Sequence, residues 1–186
     1  MKENCLIIIL IMSFALIVPT IAEQENLALG PYKVSFDMDI DNLKWDISGP
    51  TTSETLAGST DTSYEAIRSK SYPGYLLDIY VTEYNFSAFE GPGDQQFSKK
   101  TVDYALRNLG CTDIAVKGRT IDGHSAAIGQ GIDETGQDIY MVDWWMDNAT
   151  VDIYSYYPWD EGTLSLLKTI HIEKTQPREI LLGRAK

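Results

Sequence analysis

The sequence predicts an α+β fold, an antiparallel sheet of about six to eight strands flanked by two helices. Three observations lead there. Residues Tyr32–Ile40 alternate apolar and polar side chains without a fault, the period of a half-buried strand. Residues 94–110 change to helical spacing between the breakers Gly91-Pro92-Gly93 and Gly110. Beyond them, short β-rich runs are joined by Asp133–Gly136 and Asp147-Asn148, as in hairpins.

The first segment is read as an address rather than as structure. Lys2 precedes the apolar stretch Cys5–Val18, which Pro19 breaks, and Thr20-Ile21-Ala22 offers small residues for a signal peptidase. Residues 1–22 are therefore expected to be a cleaved export signal, and the protein to be secreted or held at the cell surface. The alternative is a single N-terminal membrane anchor, since the apolar stretch is close to the shortest span. Cleavage would remove Cys5 and leave Cys111 as the single cysteine, so the domain must be held by its core without an internal disulfide. Two glycosylation sequons, at Asn85 and Asn148, fall where loops or turns are expected.

A single domain is expected over residues 26–174. After the first strand, Leu43–Ser48 reads as a second, and Gly49-Pro50 with the Thr/Ser/Gly-rich stretch to about Thr60 reads as a mobile loop. Strands follow near Thr62–Lys70 and Tyr75–Tyr84, around the turn Tyr72-Pro73-Gly74. In the first helix Asp94 is the expected cap, and Phe97, Thr101, Ala105 and Leu109 form the stripe beside Val102 and Leu106. Four strands come next, near Thr112–Ile121, Ser125–Ile132, Asp138–Met146 and Thr150–Tyr156. Asp160 is the expected cap of a second helix with Leu164, Leu167 and Ile170 on one stripe, and residues 175–186 are read as a frayed tail.

The second half of this order resembles the PsbP-like α/β/α sandwich, a family of lumenal and exported proteins. The resemblance covers about half the chain. It runs from the helix ending at Gly110 through Gly123-His-Ser-Ala-Ala-Ile, Ile139-Tyr-Met-Val-Asp-Trp-Trp and Val151-Asp-Ile-Tyr-Ser-Tyr-Tyr-Pro to Gly162-Thr-Leu-Ser-Leu-Leu-Lys-Thr-Ile170. It implies an accessory or assembly role without catalysis, and it transfers no functional residue.

Charge narrows the partners. Lys and Arg total 15 against 27 Asp and Glu, a net charge of −12, which argues against nucleic acid and against an anionic membrane surface. A hydrophobic content of 44% argues against a disordered acidic tail. Oligomeric state is not written in these numbers.

Catalysis has weak claims. Gly123-His124-Ser125-Ala126-Ala127 approaches a nucleophile elbow, and Asp143 and His171 follow in hydrolase order, but an elbow needs a strand-to-helix turn and Ile128–Ile132 continues as a strand. Cys111, just beyond a helix stop, reads as a small hydrophobe rather than a nucleophile working with His124 or His171. Metal readings are equally thin. Asp37, Asp39 and Asp41 open like a calcium loop, yet Asn42 and Ser48 stand where Gly and Glu are needed. Asp133, Glu134 and Asp138 could hold a hard cation only loosely, no His/Cys cluster suggests zinc, and no phosphate-binding glycine pattern occurs. No cofactor or resident metal is expected.

The most informative feature is an aromatic cluster of Tyr140, Trp144, Trp145, Tyr154, Tyr156, Tyr157 and Trp159. On the strand 138–146, Tyr140, Val142, Trp144 and Met146 share one face, while Ile139, Met141, Asp143 and Trp145 share the other. If both faces are covered, all of these are core. If one is open, Trp145, Tyr154 and Tyr156 form a platform for sugar rings or a protein partner, with Asp143 and Asp152 as hydrogen-bond acceptors. An exported, non-catalytic binding domain is the expected function. A carbohydrate-binding module and a small secreted hydrolase are its alternatives.

Overall fold

The computed structural model describes residues 23–38, 45–54, 60–69, 75–84 and 95–175. Residues 1–22, expected to be an export signal, and Asn85, Asp39, Asp41, Asp94 and residues 176–186 lie outside them. Among the described residues, ten strands in two antiparallel sheets and two helices confirm the α+β class with a sheet-rich core. The expected single sheet is corrected to two.

The small sheet consists of β1 (Glu23–Leu29), β2 (Tyr32–Met38) and β10 (His171–Lys174), with β2 in the centre. Tyr32, Val34, Phe36 and Met38 are buried on its inner face, as their alternation requires. The sequence reading missed both partners. In β1 only Leu27 and Leu29 are core, and in β10 only Ile172 is, so neither carries enough apolar alternation to stand out.

The large sheet runs in the order β3-β4-β5-β9-β8-β7-β6. Its strands are β3 (Trp45–Glu54), β4 (Thr60–Ser69), β5 (Tyr75–Tyr84), β6 (Thr112–Ile121), β7 (His124–Ile132), β8 (Asp138–Met146) and β9 (Ala149–Ser155). The loop expected from Gly49 is corrected as far as Glu54. The chain stays extended there past a bulge between Ser48 and Thr51, because β3 is an edge strand on which Pro50 breaks no interior ladder.

Helix α1 (Gln95–Asn108) lies on β6, β7 and β8. It ends as the sequence predicts: Gly110 has φ +76° and donates to the Arg107 carbonyl, while Cys111 N donates to the Leu106 carbonyl. Its buried stripe is Ser98, Val102 and Leu106, so Phe97 and Leu109 are corrected from the core to the exposed flanks. Gly129 on β7 lets the helix approach closely, for a Cβ there would lie 2.4 Å from Val102 Cγ1.

Helix α2 (Leu164–Thr169) packs on β2. Asp160 does not cap it. The chain enters through a wide turn, Trp159–Thr163, in which Gly162 and Thr163 both donate to the Pro158 carbonyl. The buried Thr163 hydroxyl then donates to the Tyr157 carbonyl at 2.7 Å, so the entry is satisfied without a carboxylate. Leu166, Leu167 and Ile170 are buried, whereas Leu164 is only partly so.

Two cores follow. The larger lies between the sheets, around Phe36, Ile79, Trp144 and Val151; the smaller joins α1 to Ala127, Ile139 and Met141. Polar ties dock the small sheet, among them Lys174 of β10 to Glu83 of β5. Buried Arg68 of β4 bonds Glu25 at 3.1 Å and lies over the Trp45 ring. Asp122, in the β6–β7 turn, takes His171 Nδ1 and Ile172 N, each at 2.8 Å.

Candidate functional site

The large sheet is wider than either layer that covers it. Helix α1 spans β6–β8 on one face, and the small sheet lies mainly over the β4, β5, β9 and β8 half of the other. The two covers are thus staggered, and each face keeps a half that no described element covers.

On the helix side, register sets the open half row by row, since residues directly opposite in an antiparallel pair project from the same face. Glu65, Tyr80, Asp152 and Asp143 form one row across β4, β5, β9 and β8. Ser63, Thr82, Thr150 and Trp145 form the row on one side of it, and Ile67, Asp78, Tyr154 and Met141 the row on the other. Between these rows and the flank of α1 runs a groove in two sections. A wider one, about 600 Å³, is lined by Asp78, Tyr80, Asp152, Tyr154, Tyr104 and Leu109 among others. A narrower one, about 220 Å³, is lined by Asp143, Trp145, Tyr84 and Phe97. Both sections include Thr101 and Asp152.

Four of the five expected ligand-binding residues, Trp145, Tyr154, Asp143 and Asp152, therefore line one groove. Tyr156 follows the end of β9 and packs with Tyr154 against the helix-side core, outside the groove lining. The aromatic cluster divides between the two readings. Trp144 is wholly buried between the sheets, and its neighbour Trp145 faces the groove. Trp145 stacks on Tyr84 at 5.3 Å and meets the edge of Phe97 at 5.8 Å, which is why Phe97 leaves the helix stripe. Tyr80 and Tyr154 meet edge to face at 6.2 Å.

The carboxyls of this groove are strongly perturbed. Asp143 is 1% exposed and Asp78 is 4% exposed, and Oδ1 of each has no hydrogen-bond partner. Burial pushes Asp78 up to about 7 and Asp143 up to about 6, with the nearby Ser98 hydroxyl pulling Asp143 part of the way back. Asp152 is raised by burial and then by the charge of Asp143 directly opposite. Burial likewise raises Tyr154 to about 12 and Tyr80 and Tyr84 upward. Among the described residues no Lys, Arg or His lines either section.

Asp78 was missed by the sequence reading. In Leu77-Asp-Ile-Tyr-Val-Thr it sits on the polar alternates of a half-buried strand, where a carboxylate ordinarily meets water.

The opposite face has its own open half. Lys117 and Arg119 of β6 line a cavity of about 330 Å³ with Gln130, Tyr140 and Trp159. The Tyr140 and Trp159 rings are 5.4 Å apart. Charge is therefore sorted by face, with carboxyls beside α1 and cations behind.

The remaining candidates are engaged elsewhere. Ser125 is an exposed strand residue opposite Thr120, and His171 bonds Asp122 rather than Asp143. Cys111 is half-buried, and burial followed by the Asp133 charge raises its thiol, which disfavours the thiolate. Asp133 closes its own turn by accepting from Thr135 N, Thr135 Oγ1 and Gln137 N, and Asp138 accepts from Gln130. Asp37 lies on β2, where its backbone meets Ser165 and Thr169. Asn148 is exposed in the β8–β9 turn with Nδ2 on the Tyr84 carbonyl, while Thr150 of its sequon is buried. Among the described residues no helix is long and apolar enough to cross a membrane. No family model, curated protein or solved structure matches this chain.

Proposed function

We propose that this chain is an exported, non-catalytic binding or accessory domain that takes its ligand in the groove beside α1. The observation carrying this reading is the uncovered half-face on which Trp145 and Tyr154 stand beside Asp143 and Asp152. Half-buried aromatics supply contact area at low entropy cost, and desolvated carboxyls are expensive to keep unless a ligand uses them. The PsbP-like resemblance favours the same role, since that family consists mainly of accessory and assembly factors. On this reading residues 1–22 direct export and are removed, with a retained N-terminal anchor as the alternative, and Asn85 and Asn148 are the positions for glycan.

Native mass spectrometry of the protein purified from its own source tests the proposal. The expected spectrum is a chain beginning at Glu23 with a retained partner or glycan that Trp145→Ala and Tyr154→Ala release without unfolding. A ligand retained equally by those variants would count against the groove. A carbohydrate-binding module is the second reading, favoured by the flat Trp145 ring next to two carboxyl acceptors. Retention on an oligosaccharide column, lost in Trp145→Ala, is its signature. The hydrolase alternative draws no support from His171, whose Nδ1 is occupied by Asp122.

A further inference from the structure

The groove beside α1 has a property that its shape alone does not explain. Three carboxyls line it on three adjacent strands: Asp78 on β5, Asp152 on β9 and Asp143 on β8. Two of them are almost wholly buried, and each has an oxygen without a hydrogen-bond partner. Buried carboxyls are ordinarily matched by Arg or Lys, or by donors for every oxygen. Here the lining contains no cationic side chain among the described residues, although the same sheet carries Lys117 and Arg119 on its other face. The unpartnered Asp78 and Asp143 oxygens are thus acceptors left open on the groove, and a ligand that brings donors fills them.

The geometry points to an organic cation with at least two ammonium groups, bound along the groove by Asp78, Asp152 and Asp143 and against the rings of Tyr80, Tyr154 and Trp145. This rests on the reading of the groove as the ligand site. Asp143 and Asp152 are direct cross-strand partners, and Asp78 is diagonal to Asp152, so the acceptors are spread at intervals of roughly 5–8 Å. Among the described residues no three His, Cys, Asp or Glu side chains converge as the ligands of one metal ion do, and an extended cation suits such a spread. An ammonium brings three donors to the unpartnered oxygens, and aromatic faces at its side add cation–π attraction. A cavity section of about 600 Å³ is in the size range of small-ligand sites. The same chemistry comes from a free polyamine or from paired lysine side chains of a protein.

Isothermal titration of the whole purified protein with spermidine at neutral pH tests this, beside the peptide acetyl-Lys-Gly-Lys-amide and the uncharged cellohexaose. Saturable spermidine or peptide binding is expected, weakened about tenfold or more by Asp143→Asn and by Asp78→Asn. Those isosteric changes remove buried charge, so an unchanged or higher melting temperature keeps a binding loss from being read as unfolding. Asp160→Asn, on an exposed residue of the wide turn, is expected to leave binding intact. Tighter binding of the peptide would assign the cation to a protein partner, and tighter binding of spermidine to a free amine. Equal losses in all three variants would mean general attraction to an acidic protein and would overturn the inference. So would cellohexaose binding without amine binding, which would leave the groove standing as a ligand site. If none of the three ligands binds, the cation inference falls, while the wider reading is still decided by what the native protein retains.

Discussion

The two open halves of the large sheet arise from one cause and differ in chemistry. Both exist because the covers are staggered across a sheet wider than either. Beside α1, carboxyls are packed among Trp145, Tyr154 and the helix flank, and burial keeps them from ionising freely. On the other face Lys117 and Arg119 stand exposed to water on an edge strand. The difference teaches that a charged side chain on a half-covered sheet takes its character from distance to the cover's edge. At the edge of α1 a carboxyl is desolvated; on the outermost strand a cation is not.

The sharpest way to test this contrast is pH. Asp78 and Asp143 titrate higher in the folded protein than in the unfolded chain, so the folded state binds more protons between about pH 4 and 7. Their contribution to stability is therefore full below about pH 4 and is lost as pH rises through 6 to 7. Asp78, pushed up to about 7 by burial, makes the larger contribution of the two. Urea midpoints should fall across this window, and Asp78→Asn with Asp143→Asn should flatten the fall. Curves that stay parallel would mean the groove carboxyls are well hydrated.

Removing the helix cover comes next in size. Gly129→Val drives a side chain into Val102 and Leu106 and should cost about 3 kcal/mol. It should also return Asp143 towards ordinary carboxylate behaviour in a carbon-detected titration, because the cover's edge has moved. A tolerated valine would refute the close contact. Smaller again, Trp145→Ala and Trp159→Ala should each cost about 2 kcal/mol as half-buried rings. Each should alter only its own side of the sheet, which chemical-shift mapping would reveal. Least of all, Lys117→Ala with Arg119→Ala should change the unfolding free energy by less than about 0.5 kcal/mol, at every pH. A larger loss would mean that these cations are anchored after all.

How much of this could be read from the sequence follows from where each signal was stored. The hairpin strands from Thr112 onward and the stop at Gly110 were legible because period and turn chemistry agree locally. β1 and β10 were not, because their place is decided by β2, to which Leu27, Leu29 and Ile172 bring too few apolar alternates. Asp143 and Asp152 were legible as companions of Trp145 because strand alternation puts them on its face. The burial of Asp78 was not, since it depends on where α1 stops covering the sheet. Asp160 failed as a cap because Thr163 and the Pro158 carbonyl already settle that entry.

The central position of β2 in the small sheet bears on how the chain reaches its native state. Its partners are β1, joined through a two-residue turn, and β10, from the other end of the described chain. The tie from Asp37 N to Thr169 Oγ1 spans 132 residues of sequence. The β6–β9 meander, by contrast, pairs neighbours along its own length, and only its last strand, β9, reaches back to β5. Closure of the small sheet is thus a high-contact-order event, and such pairings are slow because chain entropy is spent before contacts form. The meander can zip early, while the larger core waits for β10. Pairings that close late leave apolar surface open in the meantime, and such intervals favour aggregation and proteolysis.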